Sequence, residues 1–154
     1  MATELTNQKL EQLYDTDYNL WILETVNKLQ SRDLDSLDWE NLIEEVLELS
    51  KQEKRKIESL LIKLFEHLLL LKYWHSEKER NRGHWEREIT SFRLQIIRQL
   101  EDSPSLKNHL ENRFEQCYQD GRKLASKHAQ LPFESFPASA IAPLDQVLDE
   151  NWLP

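Results

Sequence analysis

The sequence has little glycine and almost no cysteine. Its 154 residues include two glycines, Gly83 and Gly121, and one cysteine, Cys117. Two glycines so far apart cannot build a glycine-rich phosphate loop or a dinucleotide-binding fingerprint, so the common nucleotide-binding folds are poor candidates. A single cysteine excludes a disulfide within the chain. The fold must therefore depend on its own core, which a chain of this length can bury.

Proline is absent from the first 103 residues. All five prolines lie at or after Pro104, so this long region has few of the turn signals that join short strands. A fold made of many short strands is therefore disfavoured, and the sequence predicts an all-α protein.

Long apolar runs and an excess of positive charge are also absent. The longest apolar runs, 20–23 and 68–71, are far shorter than the roughly 20 residues that span a bilayer. The chain has 28 Asp and Glu against 20 Lys and Arg, a net charge of −8, which opposes diffuse binding to nucleic acid or anionic lipid. With no recognisable secretory leader, these features predict a soluble, cytoplasmic protein without a membrane span.

Apolar residues at helical spacing predict a single compact bundle of about five helices. The helices are predicted to begin after Asp17, near Trp39, near Ile57, near Trp85 and at Pro104. The inward line of the second helix is predicted to be Trp39, Leu42, Val46 and Leu49. Because the residues of 68–71 point in all directions around the third helix, that helix is predicted to be central.

The sequence also predicts how these helices end and pack. The polar segment 50–56 is expected to interrupt or bend the chain between the second and third helices. Ser103 and Pro104 are expected to end the fourth helix and start the fifth, with Ser103 as its N-cap. Gly121 lies on the apolar stripe of the fifth helix, which indicates the close approach of another helix.

Residues 1–154 are expected to form one domain. Its helical core is predicted over 14–130. An irregular, proline-containing tail is predicted over 131–154, with one weak helical turn near residues 144–148, and this tail is expected to wrap around the bundle.

Several short motifs together resemble a known family. They are Tyr14 with Trp21, Leu37-Asp38 with Asn41-Leu42 and Glu44-Glu45, His67-Leu68-Leu69, Trp85 with Ile89 and Arg93, and Ser103-Pro104-Ser105-Leu106. In these residues the sequence resembles the bacterial domain of unknown function 29 family over nearly its whole length. The resemblance implies an all-helical fold and no established activity.

Glu45, His67 and Arg93 lie at the edges of apolar stripes. Packing of these stripes would bring the three side chains to one seam, where opposite charges offset desolvation. We therefore expect a partly buried polar site between the second, central and fourth helices. Two interpretations stay open: a network that fixes helix register, which is favoured, and a Glu/His-dependent enzyme, with or without a metal.

Arg93 lies closer to an apolar stripe than the other arginines. It is expected to need a buried carboxylate, a backbone carbonyl or a ligand as its partner. The histidines lack recognised metal-ligand spacing, so no metal and no cofactor are predicted. Cys117 lies on an apolar stripe with no histidine in a motif nearby, and we expect it to pack as a small hydrophobe.

Arginines and aromatic residues alternate near the fourth helix, and such a mixture can hold phosphates and stack bases. The candidate nucleic-acid-binding residues are Arg80, Arg82, Arg87 and Arg98. Trp85 and Phe92 share the inward stripe, however, and neighbouring glutamates dilute the charge. A solvated helix with salt bridges is therefore favoured over a nucleic-acid interface.

The leading functional hypothesis is a regulatory or protein-interaction module, because the motifs explain capping and packing but assemble no catalytic set. A protein partner is predicted, and a homo-oligomer is compatible with the sequence. The Glu/His enzyme and the nucleic-acid binder stay as alternatives.

Overall fold

The computed structural model describes residues 2–154, with side chains from Lys9 onward. Within this range the chain forms α-helices and no strand, which confirms the all-α fold class. The helices are α1 (Ala2–Thr16), α2 (Tyr18–Gln30), α3 (Trp39–Tyr73), α4 (Lys78–Asp102), α5 (Leu106–Ala129) and the single turn α6 (Leu144–Val147). Five of these are long, as predicted, and α6 coincides with the weak helical turn predicted in the tail.

The five long helices are not the five that were predicted. Helix α1 was not predicted at all, and the second and third predicted helices form one helix of 35 residues, α3. The segment 50–56 does not interrupt it. That segment is polar because it is exposed to solvent, and its Lys, Gln, Glu and Arg residues are good helix formers.

Contacts divide the chain into two compact units, one up to Gln52 and one from Glu53 onward. The N-terminal unit contains α1, α2 and the start of α3, and the C-terminal unit contains the rest of α3 and all later elements. The single-domain organisation over residues 1–154 stays a prediction.

The core of the C-terminal unit surrounds α3. Every residue of 68–71 is buried, which confirms that this helix is central. Buried residues from three directions pack in the same core. They are Trp85, Ile89 and Ile96 of α4, Leu106, Leu110 and Tyr118 of α5, and Phe136, Leu144 and Val147 of the tail.

The corner between α4 and α5 confirms the predicted helix stop and start but not the predicted cap. Ser103 is the C-cap of α4, where its backbone N–H donates to the Gln99 carbonyl. The N-cap of α5 is Ser105, and its side chain makes no capping hydrogen bond. The prediction that Ser103 caps α5 through its side chain is therefore wrong, because Ser103 belongs to the end of the preceding helix.

Gly121 marks the closest approach of two helices in the C-terminal unit. A Cβ atom at this position would lie 2.7 Å from Cβ of Phe65 and 2.8 Å from the carbonyl oxygen of Ile62. Both residues belong to α3, so the predicted close approach of another helix is confirmed.

The C-terminal tail is held partly through three of its backbone carbonyl groups. Side chains of α4 and α5 donate hydrogen bonds to these carbonyls: Arg93 Nε to Val147 (2.8 Å), Tyr118 Oη to Pro137 (2.5 Å) and Gln119 Nε2 to Ala138 (2.7 Å). The tail therefore depends on donors from both helices that it crosses.

In the N-terminal unit, the start of α3 leaves most of its predicted inward line exposed. Trp39, Val46 and Leu49 are 48%, 58% and 62% exposed, and Leu42 of the same line is half-buried. The polar edge of the helix carries Asn41 and Glu45, and Glu45 contacts side chains of α1 and α2. The prediction that the whole line faces a core is therefore wrong, because these contacts lie at the edge of the line and leave most of it uncovered.

None of the helices in the described part of the chain combines the length and the apolar character needed to cross a membrane.

Candidate functional site

Glu45 is held by two tyrosine hydroxyls. Tyr14 Oη donates to Glu45 Oε1 and Tyr18 Oη donates to Glu45 Oε2, each at 2.6 Å. Distances this short are typical of hydrogen bonds between a hydroxyl and a charged carboxylate. Both oxygens of the carboxylate therefore have a donor.

A second set of contacts extends this arrangement to a buried aspartate. Trp21 Nε1 donates to Asp38 Oδ2 at 3.1 Å, and Asn41 Nδ2 donates to the same oxygen at 2.7 Å. Trp21 stacks on Tyr18, with ring centroids 5.8 Å apart, and meets Tyr14 edge-on at 5.0 Å. We call these six residues the Glu45 cluster: Tyr14, Tyr18, Trp21, Asp38, Asn41 and Glu45.

Local sequence explains why these side chains meet. Asp17 separates α1 from α2 and caps α2, since its side chain accepts from the Leu20 N–H at 3.0 Å. This short junction leaves Tyr14 and Tyr18 in edge contact, with ring centroids 5.8 Å apart. Asp38 directly precedes α3, and its carbonyl accepts the first backbone bond of that helix. The end of α1 and the starts of α2 and α3 thus supply both carboxylates of the cluster with donors.

Hydrogen bonding shifts the pKa values of the cluster in opposite directions. The bonds from Tyr14 and Tyr18 lower the pKa of Glu45, against a smaller raising effect of burial. The bond to Glu45 and then burial raise the pKa of Tyr14 to about 12, and the same causes raise the pKa of Tyr18. At neutral pH Glu45 is therefore a carboxylate bonded to two neutral phenols. This arrangement fixes the geometry of the three side chains and is poorly suited to proton transfer.

Glu45→Gln is expected to lower the pKa of Tyr14 from about 12 toward its ordinary value of 10. The amide carries no charge and accepts more weakly, so the neutral phenol loses its stabilisation. A raised phenol pKa stabilises the fold fully below pH 10 and ceases to do so as the pH rises through 12. NMR titration of ring-labelled tyrosine measures this pKa residue by residue.

The matched control is Glu44→Gln, because Glu44 affects the pKa of Tyr14 only as a minor charge effect. It should leave the Tyr14 titration nearly in place. If Glu45→Gln also left it in place, the hydrogen bond would not be the cause of the raised pKa.

Glu45, His67 and Arg93 have separate partners among the described residues. Glu45 and His67 both lie on α3, so the expectation that they lie on two different helices is wrong, because the helix predicted to end near residue 50 continues. His67 Nδ1 contacts the Lys63 carbonyl of its own helix at 2.8 Å, and its ring meets Phe92 edge-on. A polar site shared by the three residues stays a prediction.

Arg93 has the backbone partner that the sequence analysis expected. The side chain is buried, and its Nε donates to the Val147 carbonyl. Burial lowers the pKa of Arg93, while the charges of Asp149 and Glu150 act in the opposite direction. Arg93 thus attaches the tail to α4.

Comparison with known protein families identifies this chain. Residues 13–153 match the family described as Domain of unknown function DUF29. The chain belongs to the DUF29 family. Comparison with curated proteins and with solved structures finds no significant match.

The DUF29 match confirms the resemblance seen in the sequence, and the structure shows what some of the resembling residues do. Five of the six members of the Glu45 cluster, all except Tyr18, were among the residues that suggested the family. The short motifs of the N-terminal unit therefore describe one connected network in this DUF29 protein.

The basic residues of α4 remain on the surface without an aromatic stacking platform. Arg80, Arg82, Arg87 and Arg98 are exposed. Arg82 forms an ion pair with Glu86 at 2.8 Å, and Trp85 and Phe92 are buried. Stacking of bases on these rings would require opening the core, so nucleic-acid binding stays a prediction that this surface does not favour.

Two further candidates are a metal site and the single cysteine. In the part of the chain with described side chains, no three His, Cys, Asp or Glu residues cluster as metal ligands would. Burial, followed by the charge of Glu58, raises the pKa of Cys117 to about 12. Its sulfur therefore stays a protonated thiol, consistent with packing as a small hydrophobe.

Several large apolar side chains are exposed on the N-terminal unit of this DUF29 protein. The apolar stripe of α3 consists of Trp39, Ile43, Val46, Leu47 and Leu49, all of them exposed. Helix α2 separately exposes Ile22, Leu23 and Val26. Helical periodicity detects the α3 stripe in the sequence, but it carries no signal for whether the stripe faces the core or the solvent.

Proposed function

We propose that this chain is a protein-interaction module whose N-terminal unit binds a partner protein through the apolar stripe. The observation that carries the proposal is the exposure of most of an amphipathic helix face: Trp39, Ile43, Val46, Leu47 and Leu49 are all exposed. Extended exposed apolar surfaces on folded proteins mark interaction sites, and a helix normally turns such a stripe toward a core.

The Glu45 cluster supports this function by fixing the helix face that is presented. Glu45 lies on the polar side of α3 at the edge of the stripe, and its two tyrosine partners belong to α1 and α2. Because the bonds engage both oxygens of one carboxylate, they restrict rotation of α3 about its axis. The cluster thus acts as a positioning device, and this role accounts for Glu45 better than the Glu/His enzyme, whose two members have separate partners.

Ile43→Asp is expected to abolish partner capture while leaving the fold intact. Ile43 is 55% exposed, so the substitution should change the free energy of unfolding by about 0.5 kcal/mol or less. Loss of a central interface residue should reduce binding roughly tenfold or more. The measurement is capture from lysate by tagged wild-type and variant chains, with quantitative mass spectrometry and reconstitution of the enriched protein.

Leu124→Asp is the matched control, since Leu124, like Ile43, is a half-exposed aliphatic residue on a helix, but it lies on α5 in the C-terminal unit. A reconstituted partner that binds the wild type and Leu124→Asp but not Ile43→Asp supports the proposal. Equal binding of that partner by all three chains would contradict it. Circular dichroism melting of each variant separates lost binding from lost structure.

A further inference from the structure

We infer that the partner presents a basic amphipathic helix to the apolar stripe. This inference rests on the proposed function and specifies the chemistry of its occupant. Two observations support it: the shape of the stripe, and the charge of the N-terminal unit that carries the stripe.

The net charge of the protein is confined to the N-terminal unit. Residues 1–52 contain 12 Asp and Glu against 4 Lys and Arg, whereas residues 53–154 contain 16 of each. The whole net charge of −8 therefore belongs to the unit that carries the stripe. Complementary charge accelerates association and selects against partners of like charge.

Acidic side chains also lie directly beside the stripe. Glu40 and Glu44 are exposed and, at 100° per residue, lie next to Leu47 at one edge of it. An open cavity of about 470 Å³ on the same side is lined by Leu47, Tyr14, Lys51 and three glutamates. Lysine or arginine residues that flank an apolar contact would meet opposite charge here.

The geometry of the stripe fits a helix as the occupant. Trp39, Ile43, Val46 and Leu49 repeat at intervals of three and four residues, and from Trp39 to Leu49 the helix rises about 15 Å. Helices recognise one another through such rows, with anchors at the same spacing on both partners. An extended segment, whose side chains alternate every second residue, would match this row poorly.

A second copy of the chain is a poorer occupant than a basic helix. Pairing two stripes would bring together two units of net charge −8 each, with Glu40 and Glu44 beside both contacts. Like charges at an interface oppose association, and the stripe itself carries no cation to offset them.

Three synthetic peptides of about 18 residues test the inference, a length near the minimum for helix formation. The first carries leucines at the spacing of the stripe and lysines elsewhere, the second replaces lysine with glutamate, and the third replaces leucine with serine. Binding to the full chain is measured by fluorescence anisotropy of labelled peptide. The emission of Trp39, which is half-exposed within the stripe, reports the site, with Trp39→Phe as the blank.

The lysine–leucine peptide is expected to bind at least about tenfold more tightly than either of the others. Its affinity should fall between about 50 and 500 mM salt, and the Trp39 emission should shift to the blue. Ile43→Asp should abolish this binding although it adds a negative charge, whereas Leu124→Asp should not.

Three outcomes overturn the inference. Equal binding of the lysine and glutamate peptides would show that charge does not select the partner. No binding of the lysine–leucine peptide, or self-association that Ile43→Asp abolishes in analytical ultracentrifugation, would exclude the basic helix. None of these outcomes contradicts the proposed function, which fails only if the reconstituted partner binds Ile43→Asp normally.

Discussion

Leu68→Ala is expected to lower the free energy of unfolding by about 2–5 kcal/mol. Leu68 is fully buried in the part of α3 that α4, α5 and the tail surround. Truncation removes apolar contacts and leaves a cavity that neighbours fixed on several sides cannot fill. Urea unfolding monitored by circular dichroism measures the change.

Leu49→Ala is the control for this prediction, because Leu49 lies on the same helix and is exposed. It should change stability by about 0.5 kcal/mol or less. The two leucines look alike in the amphipathic pattern of the sequence. Equal destabilisation by both substitutions would show that the start of α3 is packed in a core after all.

Gly121→Ala is expected to lower the free energy of unfolding by up to about 2 kcal/mol. The new methyl group would meet Cβ of Phe65 and the backbone of α3 at distances well inside normal contact. Backbone atoms of a central helix cannot rotate away as a side chain can, so α3 and α5 must separate. The overpacking cost of about 1–3 kcal/mol is offset only in part by the roughly 1 kcal/mol that alanine gains over glycine in a helix.

Gly83→Ala is expected to have the opposite sign. Gly83 lies within α4, and a Cβ atom there would meet no heavy atom within 4 Å. Only the helix preference of alanine remains, so stability should rise by up to about 1 kcal/mol. The pair of alanine substitutions, compared in the same urea experiment, separates close packing from backbone preference. A stabilising Gly121→Ala would show that the two helices have room to adjust.

The sequence predicts the C-terminal unit well, because its helices bury the apolar faces that periodicity identifies. The all-α class, the central position of Leu68 to Leu71, the corner at Ser103 and the close approach at Gly121 are all confirmed. The carbonyl partner of Arg93 follows from the same reasoning, since a buried guanidinium needs an acceptor wherever the fold provides one.

The N-terminal unit could not be predicted in this way, for two physical reasons. Periodicity locates an apolar stripe but not what covers it, so the stripe at Trp39 was assigned to the core. The second reason is that hydrogen bonds to one polar side chain, here Glu45, can orient a helix so that its apolar stripe stays exposed. The sequence identifies Glu45 as a candidate site residue. Its partners Tyr14 and Tyr18, however, flank the junction of α2 with α1, and α1 is a helix that the sequence analysis did not predict.

The attachment of the tail through its carbonyl groups determines which positions can vary. Every amino acid carries a carbonyl oxygen, so changes at the exposed Ala138 leave the acceptor for Gln119 in place. The donors have no such freedom, because only a few side chains can reach the tail from α4 and α5. A saturation mutagenesis profile should therefore be permissive at the exposed tail positions and restrictive at Arg93 and Tyr118, which places the constraint on the residues that hold the tail and not on its exposed side chains.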